Sequence, residues 1–417
     1  MISVEAALEL ILSEIKPLGM ERVDILSSLG RVLGEDIAAS VDNPPWDNSA
    51  MDGYAVRAID TRGASRNNPV ILKVIEDLPA GYVARKAMKK GEAIRIMTGA
   101  PMPEGADAVV MVEETEKSEV RSQKSEVRIF RETKIGENVR KAGEDFKKGG
   151  TVLTKGATIR PAEIGLLAAV GKAHVPVYQR PRVAVLSTGD ELVDIEETLA
   201  SGAIRNSNGY TIAAQIKACG AAVFQLGIAG DNKKDLQEKL EFGLTADCIV
   251  SSGGVSVGDF DFVKDVLREM GSEMRFWKVA MKPGKPLAFG IIGGKPAFGL
   301  PGNPVSAMIA FEQFVRPALL KMMGKRDIFK RAFDALLTQS VKKKPGRMHF
   351  VRGALEQKQG QLYATPLEGQ GSGILSSMAK ANCLIMLSED AKDIKENSKV
   401  KVQPLDESLL YQDKPGY

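Results

Sequence analysis

The sequence predicts a multidomain α/β protein. It should hold a parallel-rich sheet with flanking helices, a helical N-terminal region, a mainly β domain and a small C-terminal β domain; that the first β domain is an insertion and the last is β-barrel-like draws on the resemblance given below. Three observations carry this. At 417 residues the chain is too long for one ordinary core. Its 44% hydrophobic and 26% charged residues are the balance of a soluble globular protein. Between about residues 180 and 325 strand-like and helix-like patterns alternate, the signature of parallel βαβ units, whereas the flanking regions read as short strands and turns.

In chain order, Val4 to Ile15 has apolar residues at helical spacing (Val4, Leu8, Ile11, Leu12, Ile15), with Ser3 placed to cap it. A second helix-like stretch leads into Gly34. Asn43-Pro44-Pro45-Trp46 then punctuates the chain, because paired prolines block a helix. From Asp47 to Arg140 short apolar strands (70–75, 92–97, 108–112, 127–130) alternate with Gly, Pro and charged turns, which suggests a mainly β domain. Within it Lys117-Ser-Glu-Val-Arg121 recurs as Lys124-Ser-Glu-Val-Arg128, a duplicated exposed hairpin segment too short for a repeat fold. Residues 151–177 carry an Arg-Pro-Ala-Glu helix start. Their return to the N-terminal helices, which would make the β domain an insertion, rests partly on the resemblance given below.

The α/β region follows: strand 182–186, helix 208–219, strand 222–226, helix 233–242, strand 248–250 and helix 262–270. In such sheets ligands bind at the carboxyl ends of the strands. A helix is expected over 305–323, and the last 90 or so residues return to short strands such as 349–351 and 399–402. The domains are therefore set at 1–44 with 142–178, 45–141, 179–327 and 328–417.

Several functions are disfavoured. A net charge of +4 with no long single-sign block gives no argument for nucleic acid. The densest basic stretch (Lys342, Lys343, Lys344, Arg347) is broken by Pro345 and Gly346 and reads as a solvated turn. No uninterrupted apolar run is long enough for a membrane. Cys219, Cys248 and Cys383 are far apart and form no CxxC pair, which suits a reducing cytoplasm. With only His174 and His349, a zinc site or a Ser-His-Asp triad is poorly supported.

Four turns stand out. Ser187-Thr188-Gly189-Asp190-Glu191 ends a buried strand, where backbone N–H groups can meet a phosphate or a pterin; taken alone it reads rather as a plain strand-to-loop turn with surface acids. Ser251 to Asp261 (Ser-Ser-Gly-Gly-Val-Ser-Val-Gly-Asp-Phe-Asp) matches neither the dinucleotide-binding nor the P-loop spacing. Its glycines allow close approach to an anion, and its two acids either cap the next helix or hold Mg²⁺ beside a phosphate. In Gly299-Leu-Pro-Gly-Asn-Pro304, Pro304 suits the first helical position with Asn303 as cap. Asp47 to Arg57 packs polar groups, Met51 and an Asp-Gly corner into a few residues, and Met97 to Pro101 is a similar polar turn. Lys278, Lys282 and Lys285 cluster around Pro283 and Pro286, which stiffen the segment.

In order and spacing these strings resemble the molybdopterin molybdenumtransferases (MoeA-type enzymes). The strings are Pro44 to Arg57, Ile96 to Pro101, Ser187 to Leu192, Ser252 to Asp259, Met281 to Pro286, Gly299 to Pro304 and Gly369 to Ser372. Trp46 is a departure outside the chemistry. The resemblance implies an elongated cytoplasmic homodimer with a MogA-like α/β domain and an active site shared between subunits. The implied transferase takes adenylylated molybdopterin, molybdate and Mg²⁺ and yields molybdenum cofactor and AMP. A molybdopterin adenylyltransferase is a possible delivering partner.

Roles carried over by resemblance are catalytic for Asp52, Thr98, Glu191, Lys278 and Lys282. Ser187, Thr188, Gly189, Asp190, Ser252, Gly253, Gly254, Ser256, Gly258, Pro301, Gly302, Pro304, Arg352 and Ser372 would bind the pterin ligand and molybdate. Asp231, Asp259 and Asp261 would hold Mg²⁺. Two rivals remain at this level: an adenylyltransferase using only the α/β domain, and a scaffold or carrier that keeps the fold without turnover.

Overall fold

A computed structural model describes residues 1–118, 125–253 and 262–411. The chain divides into two compact units. The larger comprises Met1–Arg22, Gly30–Val32 and Pro176–Tyr417, and the smaller Val23–Leu29 and Leu33–Val175.

The larger unit is built on a six-stranded sheet. Its order is Ala222–Ala229, Arg182–Thr188, Cys248–Ser252, Lys295–Leu300, Pro286–Ile292 and Glu273–Lys278. The first four strands are parallel, and Pro286–Ile292 runs against both of its neighbours. Successive side chains of a strand point to opposite faces. Accordingly Val183 and Val185 join one core cluster with Ile212, Ile216 and Val305, while Ala184 and Leu186 join another with Leu236, Leu240 and Val266. Helices cover both faces, which explains why strand Arg182–Thr188 reads as a continuous apolar run.

Helix Val4–Glu14 adds to the first face. Ser3 caps it, its Oγ accepting from Ala6 N at 3.0 Å, and its buried Val4, Ala7 and Ile11 lie three and four residues apart. The expected helix 305–323 forms, but in three continuous parts: Pro304–Ala310, a π-helical turn Phe311–Val315, and Arg316–Met322. Pro317 lacks an N–H and its ring displaces the carbonyl of Gln313, so the turn before it widens. Asn303 stands at the N-cap, yet its side chain makes no capping bond; Pro304 alone marks the start.

The C-terminal strands close a five-stranded barrel. Met348–Lys358 pairs with Gln361–Pro366, then follow Phe333–Leu337, Lys399–Pro404 and Cys383–Leu387, which returns to Met348–Lys358. The basic turn beside it corrects one expectation. Lys343 is not solvated: it is buried, and its Nζ donates to the carbonyls of Glu389 (2.9 Å) and Ala391 (3.0 Å). Backbone carbonyls replace water around this ammonium.

The smaller unit holds a sheet in the order Ala108–Met111, Gly53–Val56, Glu92–Ile96, Val70–Leu78, Glu126–Ile129, Thr115–Ser118. Alternate residues fill two cores, Tyr54 and Val56 in one and Ala55 in the other. The first copy of the five-residue repeat falls partly within 119–124, outside the described residues. Helix Pro161–Ala169 starts as read, with Glu163 Oε2 accepting from Arg160 N at 2.9 Å; its bonds to Arg160 hold the Glu163 carboxyl down to about 2.

The stretch before Gly34 is not a helix. It is strand Met20–Asp24 followed by turns. Asp24 Oδ1 accepts from the backbone N–H of Leu26 and of Ser27, both at 3.0 Å, which offers the backbone a turn in place of a helix. All three cysteines are free, and burial pushes their thiols up, to about 11 for Cys219 and about 12 for Cys383, and further for Cys248. They act as small hydrophobes. Among the described residues no helix is long and apolar enough to cross a membrane.

Candidate active site

The chain order places strand Arg182–Thr188 between Ala222–Ala229 and Cys248–Ser252. The direction of winding reverses there, so a crevice opens at the carboxyl ends of the strands. Three of the turns singled out in the sequence converge on it. Ser187, Thr188 and Ser252 are buried. Ser187 Oγ donates to Asn206 Oδ1 at 2.8 Å, and the same oxygen caps helix Ser207–Ala218 by accepting from Gly209 N at 3.0 Å. Gly253 N donates to Leu300 O at 3.2 Å, and Gly302 lies against Gly253. Asn208 Nδ2 bridges the second and third turns, donating to Ser252 Oγ at 2.7 Å and Gly302 O at 2.8 Å.

Glycine is required at two places here. Gly189 has φ +141°, and a Cβ there would collide with the Glu191 carboxylate, which folds back over it. Gly253 has φ +91°, and a Cβ would meet the carbonyl of Thr188.

Acids line the mouth. Asp190 Oδ1 accepts from Asp231 N at 2.7 Å and Asp231 Oδ2 accepts from Asp190 N at 3.5 Å, which sets these two exposed acids side by side. Glu191 is exposed beside them, and Pro301 is buried below. Gly254, Ser256, Gly258, Asp259 and Asp261 lie outside the described residues. Among the described residues no three His, Cys, Asp or Glu side chains gather as a metal site.

The lysines and the barrel form a second part. Lys278 ends strand Glu273–Lys278 and is exposed. Exposed Lys282 pairs in register with His349, bridging the α/β region to the barrel strand Met348–Lys358. His349 is buried; desolvation first, and then the charges of Lys282, Lys343 and Arg347, push its imidazole down to about 4.

Arg352 lies three residues further along, on the order of 10 Å at the rise of a strand. It is fully buried. Its Nη2 donates to the carbonyls of Gly369 (2.9 Å) and Gly371 (3.1 Å), while Nε and Nη1 have no partner among the described residues. Burial lowers its pKa. Ser372 follows in the same loop, and its carbonyl accepts from Val305 N at 3.1 Å, tying this loop to the Gly299–Pro304 turn. The larger unit thus brings together Ser187 to Glu191, Asp231, Ser252, Gly253, Pro301, Gly302 and Pro304, with Ser372 tied to them through Val305, whereas Lys282, opposite His349, and Arg352, three residues further along the strand, stand apart.

Asp52 and Thr98 meet in the smaller unit. Asp52 Oδ1 accepts from Thr98 N at 2.7 Å and from Thr98 Oγ1 at 2.8 Å. These bonds hold the Asp52 carboxyl below the usual carboxylate range, so both residues present a fixed, exposed anionic corner.

Comparison with known proteins decides the family. Residues 2–171 match the MoeA N-terminal region (domains I and II), 184–321 a probable molybdopterin-binding domain, and 334–405 the MoeA C-terminal region (domain IV). A molybdopterin molybdenumtransferase 2 of Mycobacterium tuberculosis is 39% identical over 391 residues, covering 92% of this chain and 94% of that protein. The molybdopterin molybdenumtransferase of Haemophilus influenzae is 37% identical over 396 residues, covering 94% and 96%. The crystal structure of a molybdopterin biosynthesis MoeA protein from Pyrococcus horikoshii superposes with a TM-score of 0.83 at 35% identity, covering 97% and 99%.

The chain belongs to the MoeA family of molybdopterin molybdenumtransferases. As a MoeA-type transferase it acts in molybdenum cofactor biosynthesis, and the rival reading of an adenylyltransferase using only the α/β domain does not account for the matches at both ends of the chain. Sequence reasoning missed two residues that tie the turns of this candidate site together, Asn206 and Asn208. The signal was available: Asn-Ser-Asn-Gly after strand Ile204–Arg205 is a helix N-cap pattern, and polar caps at strand ends face the ligand crevice.

Proposed function

We propose that the protein inserts molybdate into adenylylated molybdopterin with release of AMP. The observation that carries this reading is Arg352. A fully buried guanidinium with two nitrogens unpaired among the described residues is costly to keep, and a tetrahedral oxyanion is the ligand that relieves it. Ser372 in the adjoining loop, together with Lys282, supplies further donors to molybdate.

Adenylylated molybdopterin would lie over the strand ends, held by Ser187, Thr188, Gly189, Asp190, Ser252, Gly253, Pro301, Gly302 and Pro304, with Gly254, Ser256 and Gly258 added on sequence alone. In the overall change the two ligand thiols bind molybdenum while their two protons leave with one molybdate oxygen as water, and a separate water hydrolyses the phosphoanhydride to free AMP. Glu191 orients that water, and Lys278 and Lys282 stabilise negative charge on the departing phosphate.

The paired Asp190 and Asp231 fit a hard divalent cation, which takes carboxylate and phosphate oxygens. Asp231, with Asp259 and Asp261 from the sequence, would hold Mg²⁺. Bound there, Mg²⁺ would neutralise charge on the phosphate oxygens. Asp52 and Thr98 would complete the site from the second subunit of a cytoplasmic homodimer, and a molybdopterin adenylyltransferase would hand over the substrate.

Calorimetric titration with molybdate tests the anion site, with AMP present and sulfate as a control. Wild type should bind molybdate, and Arg352→Met should bind at least about a hundredfold more weakly, the loss of one charge-assisted pair in a desolvated site. Equal affinities would remove Arg352 from the site.

A further inference from the structure

Asn208 stands in the first turn of helix Ser207–Ala218 and has a fixed orientation. A carboxamide has two N–H donors on one side and a carbonyl oxygen on the other. Both donors are engaged, one by Ser252 Oγ and one by the carbonyl of Gly302. Turning the amide over would set Oδ1 against the Gly302 oxygen, so the arrangement holds. Oδ1 is then left buried, with no partner among the described residues. Its neighbour Asn206 differs: the Oδ1 there accepts from both Ser187 Oγ and Gly209 N. Buried polar atoms are nearly always hydrogen-bonded, and one that is not calls for a ligand.

We infer that Asn208 is a specificity-determining residue that reads the pterin ring, its Oδ1 accepting from the ring's donor edge. This rests on the proposed substrate. The choice of ring follows from the site's chemistry. With both N–H groups spent, Asn208 offers acceptance only. A pterin presents a ring N–H and an amino group side by side, an edge made of donors. The adenine of the same substrate has one amino donor flanked by ring-nitrogen acceptors, so it can meet Oδ1 only through that amino group and sets a ring nitrogen of like polarity beside it. Asn208 also joins Ser252 to Gly302, so it sets the spacing of the two turns that flank the ring.

The test measures equilibrium binding of adenylylated molybdopterin and of AMP to the wild type, Asn208→Ala and Asn208→Ser. Simple pterins compete, either unmodified, methylated at the ring N–H, or carrying oxygen in place of the amino group. Asn208→Ala should bind adenylylated molybdopterin at least about tenfold more weakly, with AMP affinity unchanged. The wild type should prefer the unmodified pterin over at least one altered ring, and both variants should lose that preference. A parallel loss of AMP affinity would make Asn208 a purely structural tie and overturn the assignment. So would a wild type that binds adenylylated molybdopterin yet ignores the ring changes, which leaves the proposed function standing and can be read even if the variants do not fold. A wild type that binds no adenylylated molybdopterin overturns both.

Discussion

At the ends of the parallel strands the charge is negative, exposed and held by backbone; in the barrel it is positive, buried and half unpaired. Asp190 and Asp231 sit at the surface, with Asp190 accepting from the Asp231 N–H, and water solvates the rest of both carboxylates. The Arg352 guanidinium is buried and, among the described residues, meets only two carbonyls. Exposed acids cost little without a ligand, whereas a desolvated guanidinium is held at a cost that an anion offsets. The two regions therefore suit opposite ligands, a cation with phosphate at one and an oxyanion at the other.

The largest effect should come from Arg352→Met. Activity should fall more than about a hundredfold while the melting temperature moves by only a few degrees or rises, because the substitution removes a buried charge with no acid partner among the described residues. Activity and thermal stability lost together would make the guanidinium a structural strut and erase the contrast.

Lys282→Ala should cost somewhat less, about tenfold to a hundredfold in turnover, because this ammonium is exposed and screened. A molybdate KM that weakens with added salt in the wild type, and less so in the variant, would sharpen the comparison. At the acidic end, Asp231→Asn should raise the Mg²⁺ concentration for half-maximal activity about tenfold and leave turnover at saturating Mg²⁺ nearly intact. An unchanged Mg²⁺ requirement would move the cation elsewhere.

The smallest effect concerns pH. Burial and three cations depress His349 to about 4 in the folded state, below its ordinary 6.5. The folded protein therefore resists protonation that the unfolded chain accepts. Stability from this group is complete above about pH 6.5 and is lost as pH falls toward 4. His349→Gln should flatten that part of the stability curve in denaturant titrations, and an unchanged slope would show that the imidazole is not held neutral.

The α/β unit was legible because its signals are local. The continuous apolar run Arg182 to Leu186 announced a strand covered on both faces, and the glycine turns after it marked the crevice. What stayed hidden was set by tertiary surroundings. Nothing in His349-Phe-Val-Arg352-Gly says that the arginine is fully buried while Lys282 is exposed; barrel closure decides it. Lys343 looked like a solvated lysine until the carbonyls of Glu389 and Ala391, nearly fifty residues away, enclosed it. The stretch before Gly34 has a helical pattern that loses to the side-chain turn at Asp24, and the long helix after Pro304 opens into a π turn ahead of Pro317.

The most direct measurement is AMP release from purified adenylylated molybdopterin, with and without molybdate and Mg²⁺, by the wild type, Asp52→Ala and Arg352→Met. AMP release that requires molybdate and Mg²⁺ and is nearly abolished in both variants is the predicted result. Tight binding of adenylylated molybdopterin with no molybdate-dependent AMP release would contradict the account and make the protein a carrier.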